Sequence, residues 1–531
     1  MSKQTISYHK TGYFSKLMCD YLAEDDSLSG FYGRFPNLDN FKGQLDEKKK
    51  SFSQASRNSL VAALKRQYKN TVASEATQKN ITSLSETNTF TITTGHQLNL
   101  FTGPLYFLYK IFSVINLSEK LKETYSDSNF VPVYWMATED HDFEEINYFN
   151  LFGKKVRWDR EAGGGVGELS TEGLESLASQ LEKTFGKSEN GKKLSSLFID
   201  SYTRHSNLTE ATHYLGNTLF SEYGLVIVDG NDAVLKNAFI PFAEKELVEN
   251  HSFKEITKTT QRLTSLGYPE QVHSREINLF YLAEGIRERI IEVDGRYVVN
   301  NTSLNFSEEE FLKKLREAPQ MFSPNALLRP LYQETILPNL CYVGGGGELA
   351  YWFQLKDYFK SVDIAFPILL LRNSVLLMPL KYSERLGKLE VEVESLFKNQ
   401  HYLAEDFTKQ LSEIKIDFTS QKEFLKKQFE ALYDLATQTD ASFIGAVAAQ
   451  EKKQQNGLEN LEKRLLKAQK RKFSDSLKQL VEIQDALFPK QSLQERSINF
   501  SEFYLEYGDR LLSELKMNLD PLELKFSVIE L

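Results

Sequence analysis

The stretch TTGHQLNLFTGP, residues 93–104, lies between the β-prone run at residues 90–92 and an apolar segment with helical spacing that begins LYFLYKIF. Pro104 fits the first turn of that helix, where a missing N–H has no intrahelical partner to lose. A second strand, FVPVYWMA, follows and is apolar on both faces, which is typical of parallel sheets covered by helices. The sequence therefore predicts a β-loop-α-β unit with a right-handed crossover.

The same alternation returns later in the chain and is interrupted twice. GLVIVDGND predicts a third strand. NLCYVGGGGELAYW predicts a strand followed by a glycine-rich loop and a helix, and AFPILLLRNSVLLMPL predicts further strands. The first interruption opens with EAGGGVGEL, read as a flexible joint, and the second contains IIEVDGRYVVN, a hairpin pattern with Asp294 and Gly295 at its turn. We predict a core of residues 1–150, 223–250, 326–380 and 489–531, with insertions at 151–222 and 251–325.

Residues 381–488 carry apolar stripes at spacings of three and four, the pattern of long coiled-coil helices. The stripes are Leu386, Leu389, Val393 and Leu396; Leu458, Leu461, Leu465 and Ala468; and Phe473, Leu477, Leu480, Gln484 and Leu487. We predict an antiparallel helical hairpin that turns near ATQTDASFIG, with the tail after Pro489 returning to the core. The predicted fold class is α/β: a parallel-sheet core with two insertions and a long antiparallel α-helical coiled-coil domain. The stripes fit either a homodimer or pairing within one chain.

Composition limits the functional classes. The 531 residues carry a net charge of -9, which argues against nonspecific nucleic-acid binding. Two cysteines, Cys19 and Cys341, give neither a disulfide framework nor a CxxC metal site, and they fit a reducing cytoplasm. The start MSKQTISYHK lacks the apolar core of a secretory signal, and no run of 18 apolar residues predicts a membrane span.

The loop after the first predicted strand is the first candidate site. In doubly wound sheets ligands bind at the carboxyl ends of the strands, and a following helix start can hold an anion. The groups offered there are the close backbone approach of Gly95 and Gly103 and the polar side chains of His96, Gln97, Asn99 and Thr102. The loop matches neither GxGxxG nor GxxxxGK[ST], so the common dinucleotide and P-loop sites do not apply. The alternative is a polar loop with an incidental histidine.

The next strand ends in YWMATEDHDFEEIN, the second candidate. Glu139, Asp140, His141 and Asp142 suit acid–base chemistry, an amino group or a divalent metal. Adjacent residues of an extended chain point in opposite directions, so all four cannot ligate one ion. Binding of a polar substrate is therefore favoured over a metal, the alternative being a solvated acidic turn. Trp135 is read as core or pocket wall.

YVGGGGELAYW is the third candidate, with Gly345, Gly346 and Glu348. Four successive glycines cost conformational entropy, which favours close ligand approach over a bare linker, with a flexible lid as the alternative. Gln333 could add an amide there. Arg372 could add a cation that binds a carboxylate or phosphate, and the alternative is that Arg372 is a buried ion-pair partner. SLQERSIN, with Gln494, Glu495 and Arg496, reads as an ordinary helix start.

Together, TTGHQLNLFTGPLYFLYK, VPVYWMATEDHDFEEIN, GGGGELAYW and SLQERSIN resemble the cysteine ligase family of bacillithiol biosynthesis, the BshC family, and the resemblance covers nearly the whole chain. It implies a Rossmann-like core with two connecting-peptide insertions and a coiled coil that dimerises. It also implies the joining of cysteine to glucosaminyl-malate, the last step toward bacillithiol. The matching residues are Gly95, His96, Gln97, Asn99, Thr102, Gly103, Glu139, Asp140, His141, Asp142, glycines 344–347 and Glu348.

An amine does not attack a free carboxylate at neutral pH, so ATP or another nucleotide is the expected activator. The core resembles class I nucleotidyl transferases, but GHQLN stands where that class often has HIGH, which leaves the activator open. We predict His96, Asp140 and His141 as catalytic: His96 and the helix start would stabilise developing negative charge, while the acidic loop orients the amine. The alternatives are a non-enzymatic coiled-coil scaffold with a vestigial nucleotide-binding core and a metal-dependent hydrolase; no metal is predicted.

Overall fold

The structure is a computed structural model that describes residues 3–531. Within these residues the β-strands, in chain order, are β1 (Lys3–Ile6), β2 (Thr89–His96), β3 (Asn129–Met136), β4 (Tyr148–Leu151), β5 (Lys154–Arg157), β6 (Val226–Asp229), β7 (Leu279–Ala283), β8 (Ile286–Val293), β9 (Arg296–Val299), β10 (Asn305–Phe306), β11 (Phe322–Pro324), β12 (Asn339–Gly344), β13 (Ile368–Leu371), β14 (Val375–Met378) and β15 (Phe526–Glu530).

The α-helices of the same residues are distributed along the chain from the N-terminal region to the segment that precedes the last strand. They are α1 (Tyr8–Thr11), α2 (Lys16–Leu22), α3 (Leu38–Ser51), α4 (Gln54–Gln67), α5 (Glu75–Ser83), α6 (Tyr106–Thr124), α7 (Phe143–Ile146), α8 (Leu174–Phe185), α9 (Glu189–Tyr202), α10 (Leu208–Phe220), α11 (Ala233–Asn237), α12 (Ile240–Glu249), α13 (His251–Ser265), α14 (Glu308–Glu317), α15 (Arg329–Ile336), α16 (Gly346–Trp352), α17 (Lys356–Ser361), α18 (Leu380–Lys388), α19 (Gln400–Leu411), α20 (Thr419–Ala436), α21 (Ala441–Lys472), α22 (Ser474–Leu487), α23 (Gln494–Ser497), α24 (Phe500–Tyr507) and α25 (Arg510–Asn518).

The core is a five-stranded parallel sheet in the order β13-β12-β2-β3-β6. Every residue of β2 and β12 is buried, as the apolar sequence of parallel strands requires. From β2 the chain builds outward through β3 and β6, then returns to the other side of β2 for β12 and β13. The order reverses between β2 and β12, and at such a reversal the carboxyl ends of the strands open a ligand crevice. The predicted parallel sheet is confirmed.

β2 is longer than the sequence analysis predicted. The ladder to β3 continues through Gly95, opposite Trp135, and His96, opposite Met136. These two residues therefore lie at the end of the strand rather than in the loop. α6, the predicted crossover helix, connects β2 to β3 and buries most of its length against the sheet.

The two insertions have different architectures. The first contains the β4–β5 hairpin and helices α8 to α10, and the second contains an antiparallel sheet in the order β10-β9-β8-β7-β11. Asp294 and Gly295 both have positive φ, 51° and 73°, in the turn from β8 to β9, so the predicted hairpin is confirmed.

The glycine-rich segment before α8 was predicted to be a flexible joint, and that prediction is wrong. The Val166 amide donates to the Asp140 carbonyl at 2.7 Å, and the Gly167 amide donates to the Thr138 carbonyl at 2.9 Å. A Cβ on Gly167 would lie 2.8 Å from the Thr138 Cβ, so glycine permits the close packing here rather than flexibility.

The C-terminal tail returns to the body of the protein. β15 pairs in parallel with β14 and antiparallel with β1, which forms a separate three-stranded sheet. The predicted helical hairpin is also present, with α20 and α21 joined at residues 437–440 around a small core of Leu425, Phe429, Ala436 and Val447.

One of the three predicted stripes does not lie on a long helix. α18 ends at Lys388, Glu390 has a φ of 54°, and a short 3-10 helix follows at Val393–Phe397. Leu386 and Leu396 are buried in the globular core instead of a coiled coil. Their spacing therefore reflects packing against the body of the protein. Across residues 3–531, the structure shows no helix with the length and apolar content needed to span a membrane.

Candidate functional site

A cavity of about 690 Å³ lies where the sheet order reverses. Gly95 and His96 at the end of β2, residues 135–141 after β3, and Tyr342 on β12 form the sheet side of its wall. Residues 271–289 of the second insertion and residues 324–329 close the opposite side. The cavity therefore sits between the parallel core and the second insertion, at the crevice expected for this topology.

A buried lysine connects the first and third candidate loops. Lys110 on α6 is 3% exposed; its Nζ lies 2.6 Å from the Gly95 carbonyl oxygen and 2.6 Å from Glu348 Oε1. The Tyr342 hydroxyl donates to Glu348 Oε2 at 2.8 Å. Burial lowers the pKa of Lys110, although Glu348 acts in the opposite direction. Lys110 was not among the predicted site residues, because it stands in an apolar helical stripe.

His96 is buried and presents an acceptor. Burial, with the neighbouring charge of Lys110, lowers its pKa well below 6.5, so the ring is neutral at physiological pH. Its Nε2 lies 3.3 Å from the Thr102 carbonyl oxygen, which can only accept. In this contact Nε2 carries the proton and Nδ1 remains an acceptor. The N–H of this neutral ring is engaged by Thr102, and the predicted role of His96 in stabilising developing negative charge stays a prediction.

The polar loop after His96 forms a compact turn. Phe101, Thr102 and Gly103 all have positive φ, and the carbonyls of Phe101 and Gly103 accept hydrogen bonds from Asn499 Nδ2. Asn99 Nδ2 donates to the Glu145 carbonyl at 3.3 Å, whereas Asn99 Oδ1 and Thr102 Oγ1 are buried without a partner in the described chain.

Two of the backbone amides at the start of α6 are engaged by carbonyl oxygens. The Leu105 amide donates to the Ile498 carbonyl at 2.8 Å, and the Phe107 amide donates to the Pro104 carbonyl. These backbone oxygens occupy two of the donors that an anion would need, so anion binding at this helix start stays a prediction.

In the acidic loop, each side chain but Asp142 faces a partner. Glu139 forms a buried ion pair with Lys236. Burial alone would raise the pKa of Asp140, but hydrogen bonds from His141 and Gln97 and the charge of Arg287 outweigh burial and lower it.

His141 Nδ1 accepts from Arg287 Nη1 at 2.7 Å. Asp142 precedes α7, is exposed, and does not line the cavity. The side chains of Glu139, Asp140 and His141 are therefore directed to protein partners.

Of the remaining predicted residues, Trp135 lines the cavity, whereas Gly345, Gly346 and Gln333 do not. Gly345 and Gly346 form the turn into α16, where the Gly345 amide donates to Glu348 Oε1, so the glycines make a strand-to-helix turn and not a lid. Gln333 is fully buried and accepts from Arg329 Nη1, which does line the cavity. Trp135 packs edge-on against Tyr332 and forms part of the wall.

Arg372 is a buried ion-pair partner, the alternative raised for it. It pairs with Glu495 at 2.8 Å and donates to the Asn373 carbonyl, and it does not line the cavity. SLQERSIN is accordingly more than a helix start: Glu495 and Gln494 attach α23 to β14 through the backbone amides of Val375 and Leu377.

The cavity also contains cations that the sequence analysis did not find. Arg275, Arg287 and Arg289 extend from the second insertion, and Arg329 projects from the start of α15. The signal that could have found them is the density of arginine between residues 275 and 289. Their convergence on the sheet edge depends on how the insertion docks, which no local pattern reveals.

The whole chain matches known families. Residues 1–373 match the model of the bacillithiol biosynthesis BshC N-terminal Rossmann-like domain, and residues 375–531 match that of the BshC C-terminal coiled-coil domain. A protein of Christiangramia forsetii is 54% identical over 100% of this chain and 99% of its own length.

Two further relatives match over all or nearly all of the chain. A protein of Flavobacterium johnsoniae is 54% identical over the full length of both, and one of Bacillus anthracis is 27% identical over 94% of this chain and 95% of its own. All three bear the name "Putative cysteine ligase BshC". The chain therefore belongs to the BshC family of bacillithiol biosynthesis.

Proposed function

We propose that this protein is a ligase that joins the carboxyl group of L-cysteine to the amine of glucosaminyl-malate, the last step of bacillithiol synthesis. The relatives named cysteine ligases support the reaction class over their whole length. The observation that carries the proposal is the charge of the cavity. Five cationic side chains face three carboxylates there, in a chain whose net charge is -9. Such a cavity favours an anionic ligand.

Three of the four cavity arginines are available to that ligand. Arg275 and Arg289 make no side-chain hydrogen bond or ion pair within residues 3–531. Arg329 donates only to neutral partners, Gln333 Oε1 at 2.9 Å and the Tyr351 hydroxyl at 3.0 Å. Guanidinium groups bind carboxylates through paired hydrogen bonds. These groups suit the two carboxylates of the malate moiety.

The geometry also suggests how roles are divided. His96, neutral and with Nδ1 as an acceptor, is assigned to take a proton from the attacking amine. Lys110 is assigned to the carbonyl oxygen on which negative charge develops as the C–N bond forms, because its charge is fixed by Glu348 beside the end of β2. Asp140 and His141 orient the amine. The oxygen of the cysteine carboxyl departs with its activating group.

ATP or another nucleotide is our proposal for the source of that activation. The free arginines suit phosphate as well as carboxylate, so the cavity is compatible with a nucleotide phosphate. The test is a reaction with the purified chain, L-cysteine and glucosaminyl-malate, with and without ATP, followed by mass spectrometry of the amide and of released nucleotides. Product that requires both substrates and ATP supports the proposal. No product under any nucleotide condition would sink it.

The two alternatives have less support. A metal-dependent hydrolase needs the acidic loop as its ligand set, but three of those side chains face Lys236, Gln97 and Arg287. Within the described chain no group of three or more His, Cys, Asp or Glu side chains is placed to hold a metal. A scaffold does not need a cationic cavity at the sheet edge.

We further propose that the protein forms a homodimer through the α20–α21 hairpin. Apolar side chains are exposed along it, among them Phe424, which is 74% exposed, Leu435, Phe443 and Leu461. Exposed apolar patches of this kind mark interaction surfaces. We place the protein in the cytoplasm, because both cysteines are free thiols and the product is itself a reduced thiol.

A further inference from the structure

A second cavity, of about 330 Å³, adjoins the first. Gln97 and Tyr106 line both, so they form a shared wall. The hydroxyl of Tyr106 interacts electrostatically with Glu348 in the large cavity and with Arg496 and Glu145 in the small one. Molecules in the two cavities would therefore contact the same two side chains.

The small cavity offers one group of each charge. Glu145, on α7, accepts a hydrogen bond from Gln97 Nε2 at 2.8 Å through Oε2. Arg496, on α23, makes no side-chain hydrogen bond or ion pair with any residue in 3–531. The two side chains form no ion pair with each other in that part of the chain. An unpaired cation and an available carboxylate oxygen thus line one enclosure.

Arg496 is held there by the anchoring of its neighbours. Gln494 exchanges two hydrogen bonds with the backbone of Leu377, and Glu495 pairs with Arg372. On the other side, Asn150 Nδ2 donates to the Ser497 carbonyl at 2.8 Å. The short helix is fixed at both ends, and the guanidinium of Arg496 remains as a charged group on the cavity wall.

We propose that the small cavity is the subsite for the amino-acid substrate, with Arg496 binding the α-carboxylate and Glu145 the α-ammonium group. This assignment rests on the proposed ligase function. The rest of the wall includes Pro104, Phe149 and Ile498, apolar groups that suit a small uncharged side chain such as a thiol-bearing methylene. The larger cavity, rich in arginine, is left for the dianionic amino sugar.

The test uses the full chain and three ligands: L-cysteine, cysteamine, which lacks the carboxylate, and 3-mercaptopropionate, which lacks the ammonium group. Calorimetry is performed with and without saturating glucosaminyl-malate. Arg496→Met is expected to weaken the binding of cysteine and of 3-mercaptopropionate by about tenfold or more. The binding of cysteamine, which lacks the carboxylate, is expected to be unchanged. Glu145→Gln is expected to weaken the binding of cysteine and of cysteamine. The binding of 3-mercaptopropionate, which lacks the ammonium group, is expected to be unchanged. Melting temperatures establish that the variants are folded.

Arg289→Met in the larger cavity is the matched control. This variant is expected to leave the dissociation constant of cysteine unchanged and to weaken the binding of glucosaminyl-malate. Cysteine binding that is lost in Arg289→Met but unchanged in Arg496→Met and Glu145→Gln overturns the subsite, as does no cysteine binding to the wild-type chain. A wild-type chain that makes no amide refutes the ligase function itself. Product made by Arg496→Met with an unchanged KM for cysteine refutes the subsite alone.

Discussion

At the scale of single residues, Lys110 connects two of the elements that form the site. Its ammonium group donates to the Gly95 carbonyl at the end of β2 and forms an ion pair with Glu348 on α16, the helix that follows β12. One side chain therefore connects the ends of the two strands that form the crevice. Its charge survives burial because Glu348 compensates it. This position makes Lys110 the residue whose replacement is most informative.

Lys110→Met removes the charge while keeping much of the side-chain volume. We expect kcat/KM for amide formation to fall about 10- to 100-fold, the equivalent of one charged hydrogen bond. Lys48→Met is the control, because Lys48 forms a similarly buried ion pair with Glu334 but does not line the cavity. Equal losses of activity in the two variants, at temperatures where both are folded, would show that Lys110 acts only on stability.

Asp229 gives a prediction about pH. Burial raises the pKa of this carboxyl to about 6, against hydrogen bonds from Thr138 and the Asn231 amide. The unfolded chain therefore releases the proton first, and the folded state loses stability as pH rises from about 4 through 6. Relative to Asp229→Asn, we expect the wild type to lose about 2 kcal/mol of unfolding free energy between pH 4 and pH 7.

Urea denaturation at several pH values measures this difference. Asp509→Asn serves as a control of opposite sign, because hydrogen bonds from Lys193 and Tyr504 lower the pKa of Asp509. Its stabilising contribution is present at neutral pH and is lost as pH falls. A difference between wild type and Asp229→Asn that does not change with pH contradicts the account of Asp229.

At the scale of elements, the turn after β2 depends on a distant segment. Asn499 Nδ2 donates to the carbonyls of Phe101 and Gly103, and so holds a turn in which three successive residues have positive φ. Backbone of this kind persists only when its surroundings impose it. The segment after α23 is therefore part of the support of the site.

Asn499→Ala should destabilise the chain by about 1–3 kcal/mol and should also lower activity at temperatures where the chain is folded. Asn116→Ala is the control, because Asn116 Nδ2 also donates to two carbonyls, those of Lys516 and Leu519, and none of these three residues lines the cavity. It should cost similar stability and leave kcat/KM unchanged. Thermal melts and steady-state rates separate the two effects.

Periodicity and turn chemistry predicted the strands, the crossover helix and the hairpin turns, since these depend on local preferences. They also predicted that polar groups after β2 and β3 meet at one sheet edge, because parallel strands end together. They did not predict Lys110 or Arg329, which lie in helical apolar segments. Only the register of α6 and α15 against the sheet brings those charges to the cavity.

At the scale of the whole molecule, the second insertion completes the site that the core begins. Its sheet places Arg287 beside His141, and Lys236 joins the acidic loop to this insertion by donating to the Phe322 carbonyl at 2.7 Å. The helical hairpin, in contrast, contributes no residue to either cavity lining. The proposed chemistry and the proposed dimer interface thus lie in different parts of the chain.

Phe424→Gln combined with Leu461→Gln tests the proposed assembly. Because both side chains are exposed, the change should not affect the fold of one chain but should remove apolar area from the dimer interface. Light scattering after size exclusion is expected to show a dimer for the wild type and a monomer for the variant. A wild-type monomer, or a variant that remains dimeric, would refute dimerisation through this surface.

The central claim, cysteine ligation onto glucosaminyl-malate, is tested most directly in cells that lack this protein. Mass spectrometry of small thiols and of glucosaminyl-malate should show loss of bacillithiol and accumulation of glucosaminyl-malate. The wild-type gene should restore both levels, whereas a gene encoding Lys110→Met should restore little bacillithiol. Unchanged levels of both compounds in the deletion strain would contradict the claim.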